Sequence, residues 1–421
     1  MSKATFDPTR YNPSDNKPFS EVLQAAINRR TMIKGGAGLA ALTLFGGLVG
    51  CSDDDDDNND FGTTTDPNTS SASLGFDSIA GSKTDAVVVA AGYTAKVLAP
   101  WGTPLNSNAA PWQADGSNSA VDAANSVGMH HDGMHFFPLN DEGTDGLLCI
   151  NHEYIDQAAL HPNGPTRDET TGLRTSAEEI RKEIFAHGVS VARIQLINGN
   201  WEVVANDPLN RRYTGATEMD VSGPITSKPE LLQTAYSQAG DKVRGTLNNC
   251  GNGYTPWGTY LTCEENWPNY FVNTGTQTAE QDRIGVNDED SRYSWDDLAG
   301  DPSEVDGEFS RFEITPKGTS ALEDYRNETN GFGYIVEIDP FTANSRAVKR
   351  TALGRFRHEG CVFGNLKEGE PITFYSGHDA RFEYMYKFVS EALWDPADAG
   401  STDRLATGAK YMDAGTLYVA I

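Results

Sequence analysis

Four polar clusters in this chain each follow an apolar, strand-like run and bring carboxylates together with histidine or cysteine. Carboxylates are costly to gather at one place unless positive charge lies between them. Strand ends that converge would therefore indicate a site for a metal ion or a phosphate ester. The four clusters are Asn151-His152-Glu153-Tyr154, Cys263-Glu264-Glu265-Asn266, Arg357-His358-Glu359-Gly360 and Ser376-Gly377-His378-Asp379.

Strand alternation predicts which members of these clusters share a face. Glu264 and Glu265 are adjacent, so on a strand only one of them enters a site unless a bulge intervenes. Arg357 and Glu359 lie on the same face, where a guanidinium beside a metal-bound carboxylate could clamp a phosphate in a bidentate manner. Asp379 lies on a loop and is a ligand candidate. The ordinary alternatives are exposed carboxylates and salt-bridged strand pairs.

The segment His130-His131-Asp132-Gly133-Met134-His135 adds three imidazoles and one more carboxylate. Imidazole suits iron or zinc, whereas carboxylate and carbonyl oxygens suit calcium. No Cys-x-x-Cys pair supports a zinc finger, and no Gly-x-Ser-x-Gly elbow, Walker loop or dinucleotide motif stands in a supporting context. Because no nucleophilic side chain is evident, a metal-activated water, hydroxide or oxide is expected to attack the substrate.

The composition fits a large acidic protein of strands and loops. The 421 residues carry a formal net charge of -27, which argues against a nucleic-acid partner and favours cations such as calcium. An ordinary soluble acidic surface is the alternative explanation. Apolar residues make up 38% of the chain, enough for a large core, and 42 glycines and 20 prolines indicate many turns.

Short apolar runs separated by turn signals predict an all-β fold from about residue 82 onward. One helix is expected over residues 176–186, with Ser176 as its N-cap and Glu179 completing a capping box. Because βαβ alternation and a strict repeat are both absent, the prediction is a sandwich or an irregular β-propeller, and a propeller would gather the clusters at one mouth of its channel. The expected strands cover residues 86–91, 146–150, 189–204 (a hairpin turning at Asn198-Gly199-Asn200), 259–263, 333–338, 372–375, 384–389 and 416–421.

Residues 1–51 are predicted to be an export signal. Arg29-Arg30-Thr31-Met32-Ile33-Lys34 resembles a twin-arginine motif, and the apolar run that follows is shorter than the ~20 residues of a spanning helix. Leu48-Val49-Gly50-Cys51 resembles a lipobox, which predicts a lipid on Cys51. Residues 52–80 are acidic and rich in Ser, Thr and Asn, as in a solvated tether. We therefore expect export by the twin-arginine translocase to the periplasm and anchoring to a membrane.

Four further cysteines, Cys149, Cys250, Cys263 and Cys361, leave two alternatives open. They could form two disulfides in an exported protein, or one could supply a thiolate ligand to a metal. The sequence stops within an expected strand, residues 416–421, so we also expect the domain to be incomplete at its C-terminus, with an open edge strand.

Over most of residues 80–421 the sequence resembles the PhoX alkaline phosphatases. The blocks that carry the resemblance are Gly128-Met-His-His-Asp-Gly-Met-His-Phe-Phe-Pro138, Gly146-Leu-Leu-Cys-Ile-Asn-His-Glu-Tyr154, Asn249-Cys-Gly-Asn-Gly-Tyr-Thr-Pro-Trp-Gly-Thr-Tyr-Leu-Thr-Cys-Glu-Glu265, Val348-Lys-Arg-Thr-Ala-Leu-Gly-Arg-Phe-Arg-His-Glu-Gly360 and Asp379-Ala-Arg-Phe-Glu-Tyr-Met-Tyr-Lys-Phe-Val389. The resemblance implies a β-propeller, six-bladed in the complete protein, with a mixed centre of Ca²⁺ and Fe³⁺.

The resemblance also assigns roles to individual residues. A cysteine thiolate would bind iron, with Cys149 as the first choice and Cys250 as the second, and Arg357 and Trp257 would contact the phosphate. With the carboxylates singled out above, the candidate metal ligands are Asp132, Cys149, Glu153, Cys250, Glu264, Glu265, Glu359 and Asp379.

The function expected from these observations is a metal-dependent alkaline phosphatase that releases inorganic phosphate from phosphate monoesters outside the cytoplasm. Two alternatives stay open because a fold does not fix a reaction. One is a calcium-stabilised, lipid-anchored scaffold without activity. The other is a phosphodiesterase or lactonase on the same fold.

Overall fold

Strands dominate the structure, a computed structural model that describes residues 76–420. Over this range fifteen strands form three sheets, and short helices and turns connect them. The expectation of a mostly β protein with antiparallel sheets is confirmed. The fold below belongs to one compact unit that begins at Gly81. The twin-arginine motif, Cys51 and residues 52–75 of the expected tether lie outside the described residues.

The first sheet has five strands, which pair antiparallel in the order β1-β2-β3, with β4 and β5 both on the free side of β3. The predicted hairpin over residues 189–204 is present. It turns through Asn198 and Gly199, whose positive φ angles of 52° and 79° match the right-handed twist of the flanking strands. The strands are β1 (His131–Pro138), β2 (Asp145–His152), β3 (Gly188–Ile197), β4 (Asn200–Val203) and β5 (Arg211–Tyr213).

The second sheet has the order β7-β6-β11-β10-β9-β8. All its pairs are antiparallel except β6 with β11, which run parallel. Strands β9 and β10 are buried along their whole length, because one face packs against side chains of the first sheet and the other against side chains of the third sheet. The strands are β6 (Glu218–Ser222), β7 (Lys242–Arg244), β8 (Asn249–Tyr254), β9 (Tyr260–Glu264), β10 (Ile335–Ile338) and β11 (Val348–Arg350).

The third sheet is a four-stranded antiparallel meander in the order β12-β13-β14-β15. Strand β15 forms its outer edge, and every residue of that strand is exposed. The strands are β12 (His358–Phe363), β13 (Pro371–His378), β14 (Met385–Leu393) and β15 (Gly415–Val419).

The predicted helix is present, whereas its capping box and the strand predicted over residues 86–91 are not. Helix α3 begins after the predicted N-cap Ser176, but the Glu179 carboxylate accepts hydrogen bonds from Thr166 instead of closing a capping box. Residues 86–91 form no strand and are mostly exposed, so that prediction was wrong. Helices α1, α2, α4 and α5 were not predicted. The helices of residues 76–420 are α1 (Ala120–Ala124), α2 (Gln157–Leu160), α3 (Ala177–Ala186), α4 (Ala279–Ile284) and α5 (Arg404–Met412), and none is long and apolar enough to cross a bilayer.

The three sheets meet through their terminal strands β1, β8 and β12. Glycine makes this approach possible, because a Cβ on Gly251 of β8 would lie 2.5 Å from the backbone nitrogen of Gly360 on β12. On the other side, a Cβ on Gly133 of β1 would lie 2.8 Å from the carbonyl oxygen of Cys250. Strand β8 is therefore held between β1 and β12 at backbone contact distance.

Candidate metal centre

Each of the three terminal strands carries a β-bulge at the same place in its sheet. The register between β1 and β2 shifts after His131, that between β8 and β9 after Asn249, and that between β12 and β13 after Glu359. A bulge bends the strand and turns a side chain out of the regular alternation. The bulges contain Asp132-Gly133 on β1, Cys250-Gly251 on β8 and Gly360-Cys361 on β12. Asp132 and Cys250 lie within their bulges and Glu359 directly precedes its own, and we call these three residues the bulge donors.

In each sheet, an acidic residue also follows the end of the strand that pairs with the bulged one. Its backbone N–H donates a hydrogen bond to the carbonyl two residues before the bulge side chain, which fixes the two side chains relative to each other. The three bonds run from Glu153 to His130 (3.0 Å), from Glu265 to Asn248 (3.1 Å) and from Asp379 to Arg357 (3.1 Å). Each of the three sheets thus contributes the same unit, which holds two potential metal donors.

These six side chains form two adjoining groups, which we call the acidic cluster. The donor atoms of the first group, Asp132, Glu153 and Cys250, lie within 4.8 Å of one another, and so do those of the second group, Glu265, Glu359 and Asp379. Cys250 joins the groups, because its Sγ lies 3.3 Å from Asp132 Oδ2 and 3.7 Å from Glu359 Oε1. Six of the eight predicted ligands are therefore brought together.

The acidic cluster gathers negative charge that no cation of the described residues balances through an ion pair. Burial, together with hydrogen bonding to Asp379, raises the pKa of Glu265 to about 8. Burial and the neighbouring Asp132 raise the pKa of Glu153 to about 7. Burial also raises the pKa of the Cys250 thiol. Repulsion of this kind is relieved when a cation binds between the groups.

The donor types fit metal ions of two kinds. Five carboxylates are the oxygen ligands that calcium takes, and a thiolate is a soft ligand that iron accepts. Cys250 and Glu265 are buried, whereas Glu359 and Asp379 are exposed. The acidic cluster therefore has a closed inner end and an open outer end that a substrate could reach.

Arg357 lies at the side of the second group. Its guanidinium donates to Asn266 Oδ1 at 3.3 Å and to the carbonyl of Ile284 at 3.2 Å. Burial lowers the pKa of Arg357, while Glu265 and Asp379 oppose that shift through their charges. The side chain is thus held next to two members of the acidic cluster without pairing to either, as the predicted phosphate contact requires.

The structure does not place Cys149 in the acidic cluster. Its side chain is fully buried in an apolar core with Val189, Val191 and Tyr260, because β2 turns this position inward. Burial raises the pKa of this thiol as well, and none of the six donors adjoins it. The structure therefore brings Cys250, the second choice for a thiolate ligand, to the other donors, and not Cys149, the first choice.

Glu264 and Trp257 are also placed elsewhere. Glu264 is fully buried and paired with Lys349, whose Nζ lies 2.7 Å from Oε1, so its charge is already balanced. Trp257 is a core residue that stacks on Tyr411 and donates from Nε1 to Glu337 at 2.9 Å. Of the two adjacent glutamates, the structure brings Glu265 to the other donors and not Glu264.

The three histidines around Asp132, which are His130, His131 and His135, do not join either group of donors. His130 stacks on Tyr154 with ring centroids 3.9 Å apart, and His135 stacks on Tyr254 at 4.2 Å. The feature that sequence reasoning missed is the repeat itself. Each bulge donor is followed directly by glycine, a pattern too short to be recognised before the backbone contacts are known.

Three comparisons relate the chain to known proteins. The family described as "Alkaline phosphatase PhoX" matches residues 74–421. A solved structure, "Pseudomonas fluorescens PhoX in complex with vanadate, a transition state analogue", is 37% identical with a TM-score of 0.70, and the alignment covers 82% of this chain and 55% of that one. No curated protein matches. The chain thus spans about half the length of its solved relative, and it belongs to the PhoX alkaline phosphatase family.

Proposed function

We propose that the protein is a metal-dependent alkaline phosphatase that hydrolyses phosphate monoesters and releases inorganic phosphate. The observation that carries this proposal is the acidic cluster, six donors from three sheets to which no cation of residues 76–420 is paired, in a chain of this family. The solved relative holds vanadate, a transition state analogue, which supports phosphoryl chemistry.

The proposed metals are Ca²⁺ and Fe³⁺, held by the carboxylates and by the Cys250 thiolate. When bound, such ions neutralise charge that develops on the phosphate oxygens and activate the attacking water. The protein supplies fixed ligand positions, because the three bulges and their backbone hydrogen bonds set the donors before any ion arrives.

Arg357 is proposed to orient the phosphate group. Its guanidinium lies beside Glu265 and Asp379, and its bonds to Asn266 and Ile284 hold the plane in place while charge remains available to an anion. A planar guanidinium can hold two oxygens of one phosphate and so keep the ester in line for attack.

The remaining proposals concern architecture and location. The terminal strands β1, β8 and β12 approach one another as the innermost strands of propeller blades do, which supports an irregular β-propeller, six-bladed in the complete protein. We further propose export through the twin-arginine translocase and a lipid anchor on Cys51, with residues 52–80 as the tether and the catalytic domain in the periplasm.

The test is phosphate release from nitrophenyl phosphate by the purified protein, together with elemental analysis for calcium and iron. We expect both metals to be bound and activity to be lost on chelation. Cys250→Ser should remove iron and lower kcat by about a hundredfold, because even the partners that only orient a metal ligand are worth ~10–100-fold. Metals without hydrolysis would favour the scaffold alternative, and hydrolysis of diesters alone would favour a phosphodiesterase.

Cys149→Ala is the matched control for the thiol. It removes a cysteine that is also buried, from an apolar core that adjoins none of the six donors. The variant should keep its iron and its kcat, with some loss of stability from the small cavity. Iron lost from Cys149→Ala but retained in Cys250→Ser would contradict the assignment of the thiolate.

A further inference from the structure

Arg292 occupies a shelf of aromatic rings beside the acidic cluster. The carbon of its guanidinium lies 5.3 Å from the ring centroid of Tyr293, 5.4 Å from that of Tyr154 and 5.9 Å from that of Tyr270. These distances are those of cation–π contacts, which hold a guanidinium flat while leaving its N–H edges free. The side chain is exposed.

This tyrosine shelf is attached to the first group of donors. Tyr154 directly follows Glu153, and the Tyr270 hydroxyl donates to the carbonyl oxygen of Glu153 at 3.4 Å. Arg292 itself is tied by its backbone N–H, which donates to the carbonyl of Asn269 at 2.8 Å.

The hydrogen bonding of the Arg292 guanidinium differs from that of the other arginines around the site. Arg357 gives hydrogen bonds to Asn266 and Ile284, and Arg355 gives them to Phe332 and Thr329. Among the residues that the structure describes, none accepts a hydrogen bond or forms an ion pair with the Arg292 guanidinium. A fixed, exposed guanidinium with unused N–H groups is suited to a planar anion.

We propose that Arg292 and its tyrosine shelf form a second anion subsite, which favours phosphate monoesters whose leaving group carries a carboxylate. The inference rests on the proposed phosphatase function and adds the substrate class. The phosphate would lie over the acidic cluster beside Arg357, and the carboxylate of the leaving group would accept N–H bonds from Arg292 on the side of Glu153. In a protein of net charge -27, a local cation is needed to attract such a doubly anionic substrate.

The test compares phosphoglycerate with glycerol phosphate, which differ by a carboxylate in place of a hydroxymethyl group. We expect the wild-type protein to have the higher kcat/KM for phosphoglycerate. Arg292→Gln should reduce that preference about fivefold, mainly through KM, because an exposed ion pair is worth up to ~1 kcal/mol. Arg292→Lys should keep part of the preference, since charge remains but the planar fork is lost.

Arg346→Gln is the matched control, because Arg346 is a similarly exposed arginine whose loss changes the net charge equally. It pairs with Glu218 and Asp220 on the second sheet and should leave the preference unchanged. If Arg292 serves only to balance the acidic cluster, Arg292→Gln will slow both substrates equally and lower the metal content, and the proposal is then overturned.

Calorimetric affinities for both compounds are measured in parallel on the metal-loaded protein. Should the wild type hydrolyse neither compound, the phosphatase proposal fails, and the affinity ratio still decides whether Arg292 reads the carboxylate. If Arg292→Gln leaves the ratio of the two affinities unchanged, the proposal of a second anion subsite is overturned, whether or not hydrolysis occurs.

Discussion

Buried carboxylates have two kinds of surroundings in this molecule. Glu183, Glu264 and Glu337, which we call the paired carboxylates, are fully buried and each contacts a buried cation: Arg174, Lys349 and Arg350 respectively. In the acidic cluster, by contrast, five carboxylates and a thiol adjoin one another without such a partner among the described residues. The same fold therefore balances charge completely in one region and leaves it unbalanced in another.

The paired carboxylates also have their lone pairs satisfied. Glu183 accepts from Arg174 Nη2 at 2.6 Å, His161 Nε2 at 2.8 Å and Trp295 Nε1 at 2.7 Å. Burial alone would raise the pKa of Glu183, and the hydrogen bonds from His161 and Arg174 lower it instead. Complete pairing of this kind joins parts of the chain that lie far apart in sequence.

The comparison separates structural charge from functional charge. The charge of a buried acid that pairs with a protein cation is already balanced, whereas acids that raise one another's pKa must either hold protons or bind a cation from outside. Burial is not what distinguishes the two regions, because Glu264 and Glu265 are both buried and adjacent in sequence. The direction of each side chain from strand β9 decides which surroundings it meets.

Removal of a protein cation should have the largest effect on stability. Lys349→Met keeps the length of the side chain and leaves Glu264 buried without a partner. We expect the free energy of unfolding to fall by about 4 kcal/mol, within the range found when one member of a buried pair is lost. Urea denaturation followed by fluorescence of the buried tryptophans measures this change.

Two further variants test the explanation for that loss. Adding Glu264→Gln to Lys349→Met should restore part of the stability, because the uncompensated charge is gone. Glu359→Gln in the acidic cluster of metal-free protein should cost no stability, since it removes repulsion. A loss of stability from Glu359→Gln equal to that from Lys349→Met would show that the two regions do not differ as described.

The acidic cluster should also give metal-free protein an unusual dependence on pH. Its folded state holds a proton on Glu265 up to about pH 8, whereas the unfolded chain releases it near the usual value of 4.5. Between these two pH values the folded state binds more protons than the unfolded chain. The free energy of unfolding is therefore highest at the acid end of this range and falls as the pH rises toward 8. We expect a decrease on the order of 3 kcal/mol.

Urea denaturation in chelator at several pH values between 5 and 8.5 checks this slope, and Glu265→Gln should flatten it. With metals bound the slope should reverse, because deprotonated ligands bind them more tightly. Stability of the metal-free protein that increases with pH over this range would mean that the carboxylates ionise without mutual repulsion.

Much of the strand pattern could be predicted from the sequence, and the errors have physical causes. Alternation and turn residues correctly indicated the strands around Cys149, Cys263 and Phe374. Helix α5 was missed because Gly408 lowers the helix propensity of this segment. Glycine is needed there, because a Cβ at this position would lie 2.1 Å from the carboxylate of Glu337. A tertiary contact thus outweighs the local preference.

The candidate site was only partly predictable for a similar reason. Carboxylates at strand ends were found from the pattern of polar residues, and alternation indicated that only one of Glu264 and Glu265 enters the site without indicating which. The choice between Cys149 and Cys250 depends on which strand is bulged and on which sheet edges meet, and neither can be predicted from one strand alone. Packing between sheets decided it.

The smallest of the expected effects concerns the contact that holds this site together. Gly251→Ala would place a Cβ 2.5 Å from the backbone nitrogen of Gly360, so β8 must move away from β12 and carry Cys250 away from Glu359. We expect a loss of about 2 kcal/mol of stability and a lower metal content, since strain in a packed interior is not absorbed locally. Elemental analysis and urea denaturation measure both.

Gly400→Ala is the matched control, because a Cβ there meets nothing within 4 Å. It should change neither stability nor metal content. If Gly251→Ala lowered stability but left the metals in place, the strands could separate without moving the donors, and the repeated bulges would be a feature of packing only. Loss of both together would show that the backbone contact between the sheets sets the geometry of the acidic cluster. The paired carboxylates reach their partners through long side chains, so Gly251→Ala should leave their ion pairs intact.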